Sequence, residues 1–182
     1  MRTFIGIQIP EYIRENLKEV IEKVKKVREA KPVRLENLHI TLKFLGEIKK
    51  DQLDFIKKKL EKCAEEFESF DVEIKGVGVF PSEKNVRVLW IGVEDNGSLK
   101  KLNSKIEDVL KEFGFEKERA FVSHITTARF RSFPNLSLIK EIIEKYKEKT
   151  FGKFTVKDFY LYESELKTTG PIYKKLEKFE LK

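Results

Sequence analysis

The sequence predicts a mixed fold of strands and helices arranged as two similar lobes, and three observations lead to this prediction. Apolar residues alternate in some segments and recur every three or four residues in others, which is typical of strands and helices in turn. No linker rich in Pro, Gly or Ser divides the 182 residues. The tripeptide His-Ile-Thr occurs at residues 39–41 and again at 124–126. We therefore expect one bilobal domain over residues 1–182, with pseudo-repeats of roughly 1–85 and 86–182.

Each half predicts strands and helices in alternation, followed by further strands. In the first half the expected elements are a strand at 3–9, a helix at 10–28, a strand at 38–45, a helix from residue 51, and hairpin strands at 70–80 and 86–93. In the second half they are a helix at 98–113, a strand at 121–130, a helix at 137–149, and closing strands at 153–163 and 172–181. A shift of 85 residues superposes the first strand and helix on 89–93 and 97–113. The pattern repeats, although identity between the halves is low.

Composition favours a globular protein with an anionic partner. Hydrophobic residues make up 40% of the chain, enough for a packed core. The net charge is +7, but the basic residues are spread along the chain, so a solvated surface explains any single lysine run. No segment has the length and apolarity of a signal peptide or a membrane span, and we expect no membrane association.

Cysteine and amide usage indicate the environment. A single cysteine, Cys63, excludes an intramolecular disulfide framework and fits a reducing cytoplasm. It shares an apolar helix face with Leu60, Ala64 and Phe67, so we expect a core thiol rather than a nucleophile. Few Gln, Met and Cys beside abundant Lys and Glu predict a thermophilic source.

The two histidines of the chain, His39 and His124, are the candidates for catalysis. Residues two apart in a strand share a face, so each imidazole projects together with a threonine, Thr41 or Thr126. Two imidazoles in one cleft provide a general acid and a general base near neutral pH, and hydroxyls hydrogen-bond phosphate oxygens. The set suits displacement at phosphorus, in which one imidazole deprotonates water and an imidazolium protonates the departing ribose oxygen.

A structural role or a metal site would account for the tripeptides less well. A buried histidine with a local hydrogen bond is a good explanation for one copy of the tripeptide. It is a poor explanation for two copies that together contain every histidine of the chain. Two distant histidines and one cysteine do not have the spacing of a zinc site. The sequence also lacks a Gly-Lys-Ser/Thr phosphate loop and a Gly-x-Gly-x-x-Gly motif. We therefore expect neither a metal nor another cofactor.

At these residues the sequence resembles the 2H phosphoesterases, specifically the RNA 2′,3′-cyclic phosphodiesterases, also called 2′-5′ RNA ligases. The first matching motif is Arg-Leu-Glu-Asn-Leu-His-Ile-Thr-Leu-Lys-Phe-Leu-Gly-Glu at 34–47, and the second is Phe-Val-Ser-His-Ile-Thr-Thr-Ala-Arg at 121–129. Phe-Ile-Gly-Ile at 4–7 and Gly-Pro-Ile-Tyr at 170–173 extend the resemblance over essentially the whole chain.

The resemblance implies an α+β fold with two largely antiparallel sheets flanked by helices, pseudo-two-fold symmetry and an open central cleft. It also implies metal-independent opening of an RNA 2′,3′-cyclic phosphate to a 2′-phosphomonoester. By this resemblance His39 is the proton donor to the leaving 3′-oxygen and His124 the proton acceptor that activates water, with Thr41 and Thr126 as phosphate ligands. Pseudo-symmetry leaves the acid and base roles interchangeable as far as spacing alone is concerned.

Further substrate contacts are expected near the two motifs. Lys43 lies two residues beyond Thr41 on the same strand face, where we expect it to extend an electropositive cleft. Arg129 has an odd offset from His124, so only a bulge or the strand end would bring it to the phosphate. Arg34 is placed to contact RNA phosphate, and the aromatic rings of Tyr173 and Phe44 to stack on a base.

We thus expect a cytoplasmic, cofactor-free monomer that acts on RNA ends or oligonucleotides carrying a 2′,3′-cyclic phosphate. Two alternatives stay open. The same site can run 2′-5′ RNA ligation, with an RNA 5′-hydroxyl in place of water. A non-catalytic module that binds RNA ends would use the same cleft without turnover.

Overall fold

The computed structural model describes residues 1–117 and 120–182. Four α-helices and nine strands follow one another along the described part of the chain, with short 3₁₀ turns at Leu35–Asn37 and Lys111–Phe113. In order, they are β1 (Arg2–Gln8), α1 (Glu11–Lys25), β2 (Ala30–Pro32), β3 (His39–Glu47), α2 (Lys50–Glu65), β4 (Phe70–Ser82), β5 (Asn85–Glu94), α3 (Ser98–Val109), β6 (His124–Phe130), α4 (Leu136–Tyr146), β7 (Thr150–Val156), β8 (Asp158–Lys167) and β9 (Gly170–Glu180).

The strands form one continuous sheet in the order β7-β4-β5-β6-β3-β1-β8-β9, with β2 beside β6. Every strand pair in the described part of the chain is antiparallel. At the centre β3 and β6 meet through a single residue pair, Ile40 and Ile125. The expected α+β fold is confirmed, and the two expected sheets are joined at this one pair.

The two sides of this junction each combine strands from both halves of the sequence. We name the strands β3, β1, β8 and β9 the His39 half-sheet, and the strands β6, β5, β4 and β7 the His124 half-sheet. β4 comes from the first half of the sequence but pairs with β5, whereas β8 comes from the second half but pairs with β1. Each half of the chain therefore gives a strand to the sheet of the other.

Two details of the sequence-based prediction are wrong. The closing strand expected at 153–163 is divided at Lys157, so that β7 pairs with β4 while β8 pairs with β1. The offset between the two halves is also not uniform. Thr41 lies opposite Gly6 of β1, and Thr126 lies opposite Trp90 of β5. The shift that superposes β1 on β5 is therefore one residue shorter than the shift that relates the two histidines. Which residues of β1 and β5 pair with the two motifs depends on the partner strands, so it does not show in a periodicity count.

The four helices pack on one face of the sheet. Apolar residues of the helices and of that face form a single core, which includes Ile13, Ile56, Ile106 and Ile139 from the helices. Burying a side chain of this size contributes roughly 1.5–3 kcal/mol. Because strand side chains alternate between faces, the opposite face carries the histidines and stays partly open. No helix of the described residues is long and apolar enough to span a membrane.

Candidate active site

The Ile40–Ile125 pair at the centre of the sheet places the two His-Ile-Thr tripeptides side by side. Both isoleucines are fully buried among the core residues, so the flanking histidine and threonine of each tripeptide project to the other face. Since the strands run antiparallel, His39 lies beside Thr126 and His124 beside Thr41. We call this surface, with its four side chains, the histidine face.

Each imidazole is anchored by a backbone carbonyl two residues earlier in the chain. His39 Nδ1 lies 2.7 Å from the carbonyl oxygen of Asn37, and His124 Nδ1 lies 2.8 Å from that of Val122. A carbonyl only accepts, so Nδ1 carries the hydrogen in both rings. Nε2 is therefore the nitrogen of each ring that carries no hydrogen in the neutral imidazole.

Burial lowers the pKa of both histidines, because desolvation disfavours the charged imidazolium. The carbonyl hydrogen bonds oppose this effect, while the positive charge of Arg129 lowers both pKa values further. His124 adds to the lowering of the pKa at His39. A bound phosphate anion would act in the opposite direction and favour the imidazolium form.

His39 is enclosed by aromatic rings. The Phe4 ring lies 4.8 Å from it between centroids, and the Tyr173 ring meets it edge-on at 5.3 Å. Its Nε2 lies 2.9 Å from Thr41 Oγ1. Gly6 lies beneath the ring, where an added Cβ would come within 3.0 Å of the Ile40 carbonyl oxygen. A larger residue at position 6 would therefore require the neighbouring atoms to move by a few tenths of an ångström.

His124 is less deeply buried than His39, and its Nε2 has no hydrogen-bond partner among the described residues. The Phe80 ring meets the imidazole edge-on at 5.1 Å, and the Trp90 indole packs against Phe80 at 5.4 Å. The indole lies across Gly78, where an added Cβ would come within 2.2 Å of Trp90 Cζ2. Glycine at this position makes room for the indole.

A bulge in each central strand reverses the alternation just after the threonine. In β3 the pairing with β1 skips Leu42, and in β6 the pairing with β5 skips Thr127. The Thr127 hydroxyl donates a 2.8 Å hydrogen bond to the Leu89 carbonyl, which fixes the second bulge. Residues beyond each bulge consequently point to the face opposite to the one a regular strand would give.

The first bulge makes the expected position of Lys43 wrong. Its side chain is 1% exposed on the helix-covered face, where Nζ lies 2.8 Å from Glu107 Oε1 and donates to the Glu116 carbonyl at 2.9 Å. Lys43 therefore does not extend an electropositive cleft. It joins β3 to α3 and to the loop that leads towards His124.

The second bulge turns Arg129 to the histidine face. Arg129 is exposed and lies opposite Val88, and its charge lowers the pKa of both histidines. Phe44, which occupies the corresponding place in β3, is also exposed and lies 6.1 Å from Phe4 between ring centroids. The structure thus brings Arg129 and Phe44 beside the histidines.

Two predicted contacts remain. Tyr173 lies in β9 of the β8–β9 hairpin, and Arg34 contacts the turn of that hairpin. Tyr173 contacts His39 and Phe4, and burial raises the pKa of its hydroxyl. The Arg34 guanidinium donates to the carbonyl of Thr169 in the hairpin turn. Arg34 therefore holds the hairpin in this structure, whereas Tyr173 forms part of the wall around His39.

Sequence reasoning assigned no role to Asn37, which links the β8–β9 hairpin to His39. Its side-chain amide donates a 2.9 Å hydrogen bond to the Pro171 carbonyl, while its own carbonyl accepts from His39 Nδ1. Asn37 is 8% exposed. A buried asparagine just before a strand signals a hydrogen-bond anchor, but its partner is 134 residues away, so no sequence pattern could have identified it.

A cavity of about 710 Å³ lies between α2 and β9, and neither histidine lines it. No group of three or more His, Cys, Asp or Glu side chains in residues 1–117 and 120–182 is arranged to hold a metal ion.

Comparison with known proteins adds an independent line of evidence. The family model described as LigT like Phosphoesterase matches the chain twice, at residues 7–90 and 91–173. A protein of Archaeoglobus fulgidus named RNA 2′,3′-cyclic phosphodiesterase is 38% identical over 181 residues, which are 99% of this chain and 100% of the relative. A protein of the same name from Methanocaldococcus jannaschii is 37% identical, with 98% and 100% covered. A crystal structure of a Thermus thermophilus protein superposes with a TM-score of 0.83 at 30% identity, covering 100% of this chain and 98% of that one.

Proposed function

The chain belongs to the LigT like phosphoesterase family, and we propose that it hydrolyses the 2′,3′-cyclic phosphate at RNA ends to a 2′-phosphomonoester. The observation that carries this proposal is the pair of histidines on one sheet face, each with Nδ1 bound to a carbonyl and Nε2 left to exchange a proton. The name shared by the curated relatives supports an RNA cyclic phosphate as the substrate.

In the proposed reaction, water attacks phosphorus as the bond to the 3′-oxygen breaks. His124 Nε2 takes a proton from the water, and protonated His39 gives a proton to the departing 3′-oxygen. The product keeps its phosphate on the 2′-oxygen. Afterwards His124 is protonated and His39 neutral, and exchange with solvent restores the starting state.

The different surroundings of the two histidines support this order of roles. His124 is less buried, and its Nε2 is free of partners among the described residues, so a water molecule can reach it. His39 is held between rings and by Thr41, a setting that aims Nε2 at one position. The resemblance to the family motif assigns the same order.

The hydroxyls and the guanidinium complete the proposed site. Thr41 and Thr126 flank the central strand pair and would hydrogen-bond the non-bridging phosphate oxygens. Arg129, on the same face, would balance the phosphate charge. Because the two histidines supply both proton transfers, we propose a reaction that needs no metal ion.

Product analysis tests the proposal. A short RNA ending in a 2′,3′-cyclic phosphate is incubated with the protein in excess EDTA, and chromatography separates the 2′- from the 3′-phosphate product. We expect the 2′-phosphate, and a loss of about 10²- to 10⁴-fold in rate for His39→Ala and for His124→Ala separately. Full activity of either variant would contradict the proposal.

The same experiment separates the two alternatives. Adding an RNA with a free 5′-hydroxyl and following joined product tests 2′-5′ ligation, in which the same side chains would act on a 5′-hydroxyl in place of water. Tight binding with unchanged cyclic phosphate would indicate a non-catalytic module. A 3′-phosphate product would keep the acid–base pair but change the leaving group.

We further propose that the protein acts as a monomer in the cytoplasm. The site is assembled within one chain around the Ile40–Ile125 pair, so no second copy is needed to complete it. The one cysteine, Cys63, is buried, and burial raises the pKa of its thiol to about 11, which keeps it unreactive.

A further inference from the structure

One lysine on the histidine face is held in place by uncharged groups. Lys175 of β9 reaches across β8, where its Nζ lies 4.6 Å from the centre of the Tyr160 ring and donates a 2.8 Å hydrogen bond to Gln8 Oε1. Neither contact neutralises the ammonium. The ring and the amide together restrict an otherwise flexible side chain to one place.

Strand pairing places this ammonium beside the catalytic residues. Gln8 lies directly opposite His39 in the β1–β3 pair, and Tyr160 lies opposite Gly6, which in turn lies opposite Thr41. Directly paired residues of antiparallel strands project to the same face. Gln8 and Tyr160 are therefore on the histidine face, about 5 Å per strand from His39.

A neighbouring lysine shows how the arrangement differs from an ordinary surface charge. Lys178, on the same strand and opposite Tyr160, lies 3.7 Å from Asp158 and 3.5 Å from Glu180. Its charge is thus shared with two carboxylates. The contacts described for Lys175 include no carboxylate, so its positive charge is not shared in this way. An anion is therefore the ligand that this ammonium would bind.

We propose that Gln8, Tyr160 and Lys175 form a second phosphate subsite, which binds the phosphodiester next to the terminal cyclic phosphate of an RNA chain. This inference rests on the proposed function and specifies its substrate as an oligonucleotide rather than a cyclic mononucleotide. A mononucleotide has no second phosphate, so it gains nothing from this ammonium. Each further contact between a lysine and a phosphate adds affinity and releases a counterion.

The test compares substrates with one and two phosphates. The ratio of kcat/KM for a dinucleotide with a 2′,3′-cyclic end to that for the matching cyclic mononucleotide is measured for the wild type, Lys175→Met and Lys178→Met. Methionine keeps an aliphatic stem over Tyr160 while removing the charge. We expect Lys175→Met to lower the ratio about two- to fivefold, and Lys178→Met to leave it as in the wild type.

Salt dependence provides a second measurement. For the dinucleotide, the negative slope of log kcat/KM against log salt should become shallower by about 0.7 in Lys175→Met, the value for one contact to a single strand. Equal ratios and slopes in wild type and Lys175→Met would overturn the subsite. A change confined to base preference among mononucleotides would also overturn it, since it would indicate contact with a base.

Binding separates this subsite from the reaction itself. Calorimetry with a dinucleotide that ends in a 2′-phosphate, against the matching nucleoside 2′-phosphate, gives the same ratio without turnover. If no substrate is hydrolysed but Lys175→Met still lowers this binding ratio, the proposed function fails and the subsite stands. If hydrolysis proceeds and the binding ratio is unchanged, the subsite fails alone.

Discussion

Around His39, Phe4 and Tyr173 pack on the imidazole, and Thr41 lies within hydrogen-bond distance of Nε2. Around His124, Phe80 meets the ring edge-on, and Nε2 has no hydrogen-bond partner among the described residues. The two imidazoles share the same backbone anchor, a carbonyl two residues earlier. They differ in what restrains the ring. The two copies of the motif thus share the hydrogen bond of Nδ1 and differ in the environment of Nε2, the nitrogen that we propose exchanges the proton.

With different surroundings, two copies of one motif can serve as a general acid and as a general base. A general acid must hold its proton at one leaving oxygen, which a tightly packed ring favours. A general base must receive a water molecule, which an open ring favours.

The largest effect is on the assignment of acid and base. In a cyclic substrate with sulfur in place of the 3′-oxygen, the thiolate leaves without a proton, so the general acid is not needed. We expect His39→Ala to lose about 10²- to 10⁴-fold in rate on the oxygen substrate but far less on the sulfur substrate. His124→Ala should lose activity on both. Rescue of His124→Ala instead of His39→Ala would reverse the two roles.

The second prediction concerns Lys43, whose counterpart in the other half is the buried Ala128. Lys43→Met leaves the Glu107 carboxylate, which is 9% exposed, without its partner. We expect about 3–5 kcal/mol less free energy of unfolding, measured by urea denaturation. The double variant Lys43→Met with Glu107→Leu should recover most of the loss, because it removes the unpaired charge. Equal stability of both variants would show that the ion pair is not what stabilises this contact.

The third prediction compares Asn37 with Val122, the two residues whose carbonyls anchor the imidazoles. Asn37→Ala leaves the Pro171 carbonyl without its donor, which costs about 1–3 kcal/mol and lets Tyr173 move relative to His39. We expect a roughly tenfold lower kcat/KM, equivalent to about 1.4 kcal/mol, and a changed NMR titration of His39 alone.

Val122→Ala is the matched control, because the Val122 side chain is 53% exposed. Its effect on stability should stay within about 0.5 kcal/mol. If Val122→Ala lowers kcat/KM as much as Asn37→Ala does, the hairpin anchor does not distinguish the two halves.

The smallest effect is on proton affinity. The Arg129 charge lowers the pKa of both histidines, so Arg129→Gln should raise both pKa values. Both limbs of the bell-shaped pH profile then move to higher pH, since base and acid each bind their proton more tightly. NMR follows each histidine directly, because the chain has two. Arg131 is an exposed neighbour, so Arg131→Gln should leave the titrations of both histidines unchanged. Unaltered histidine pKa values in Arg129→Gln would contradict the inferred effect of the Arg129 charge.

Much of this molecule follows from local pattern. Alternating apolar residues predict β1 and β3, and helical periodicity predicts α1 to α4 within a few residues of their observed ends. The spacing of His and Thr predicts that each pair shares a strand face, which the structure bears out up to the bulge. These features depend on residues close together in the chain, so they can be predicted from the sequence.

Beyond the threonines the local pattern no longer predicts which face a residue occupies. Because the strand pairing skips Leu42 and Thr127, Lys43 lies in the core and Arg129 lies on the histidine face. A bulge depends on how a strand matches its partner, and Thr127 is fixed by a carbonyl 38 residues away. Periodicity within a single segment cannot detect such a match.

The sequence by itself determined the two candidate histidines, their threonines and the strands that carry them, because a period-two pattern acts over a few residues. Tertiary structure alone decided that β4 and β8 exchange between the halves, that Asn37 anchors the hairpin beside His39, and that Lys175 meets Gln8. These contacts join residues far apart in the chain, where many pairings satisfy the same local pattern. Packing of the whole core selects one of them.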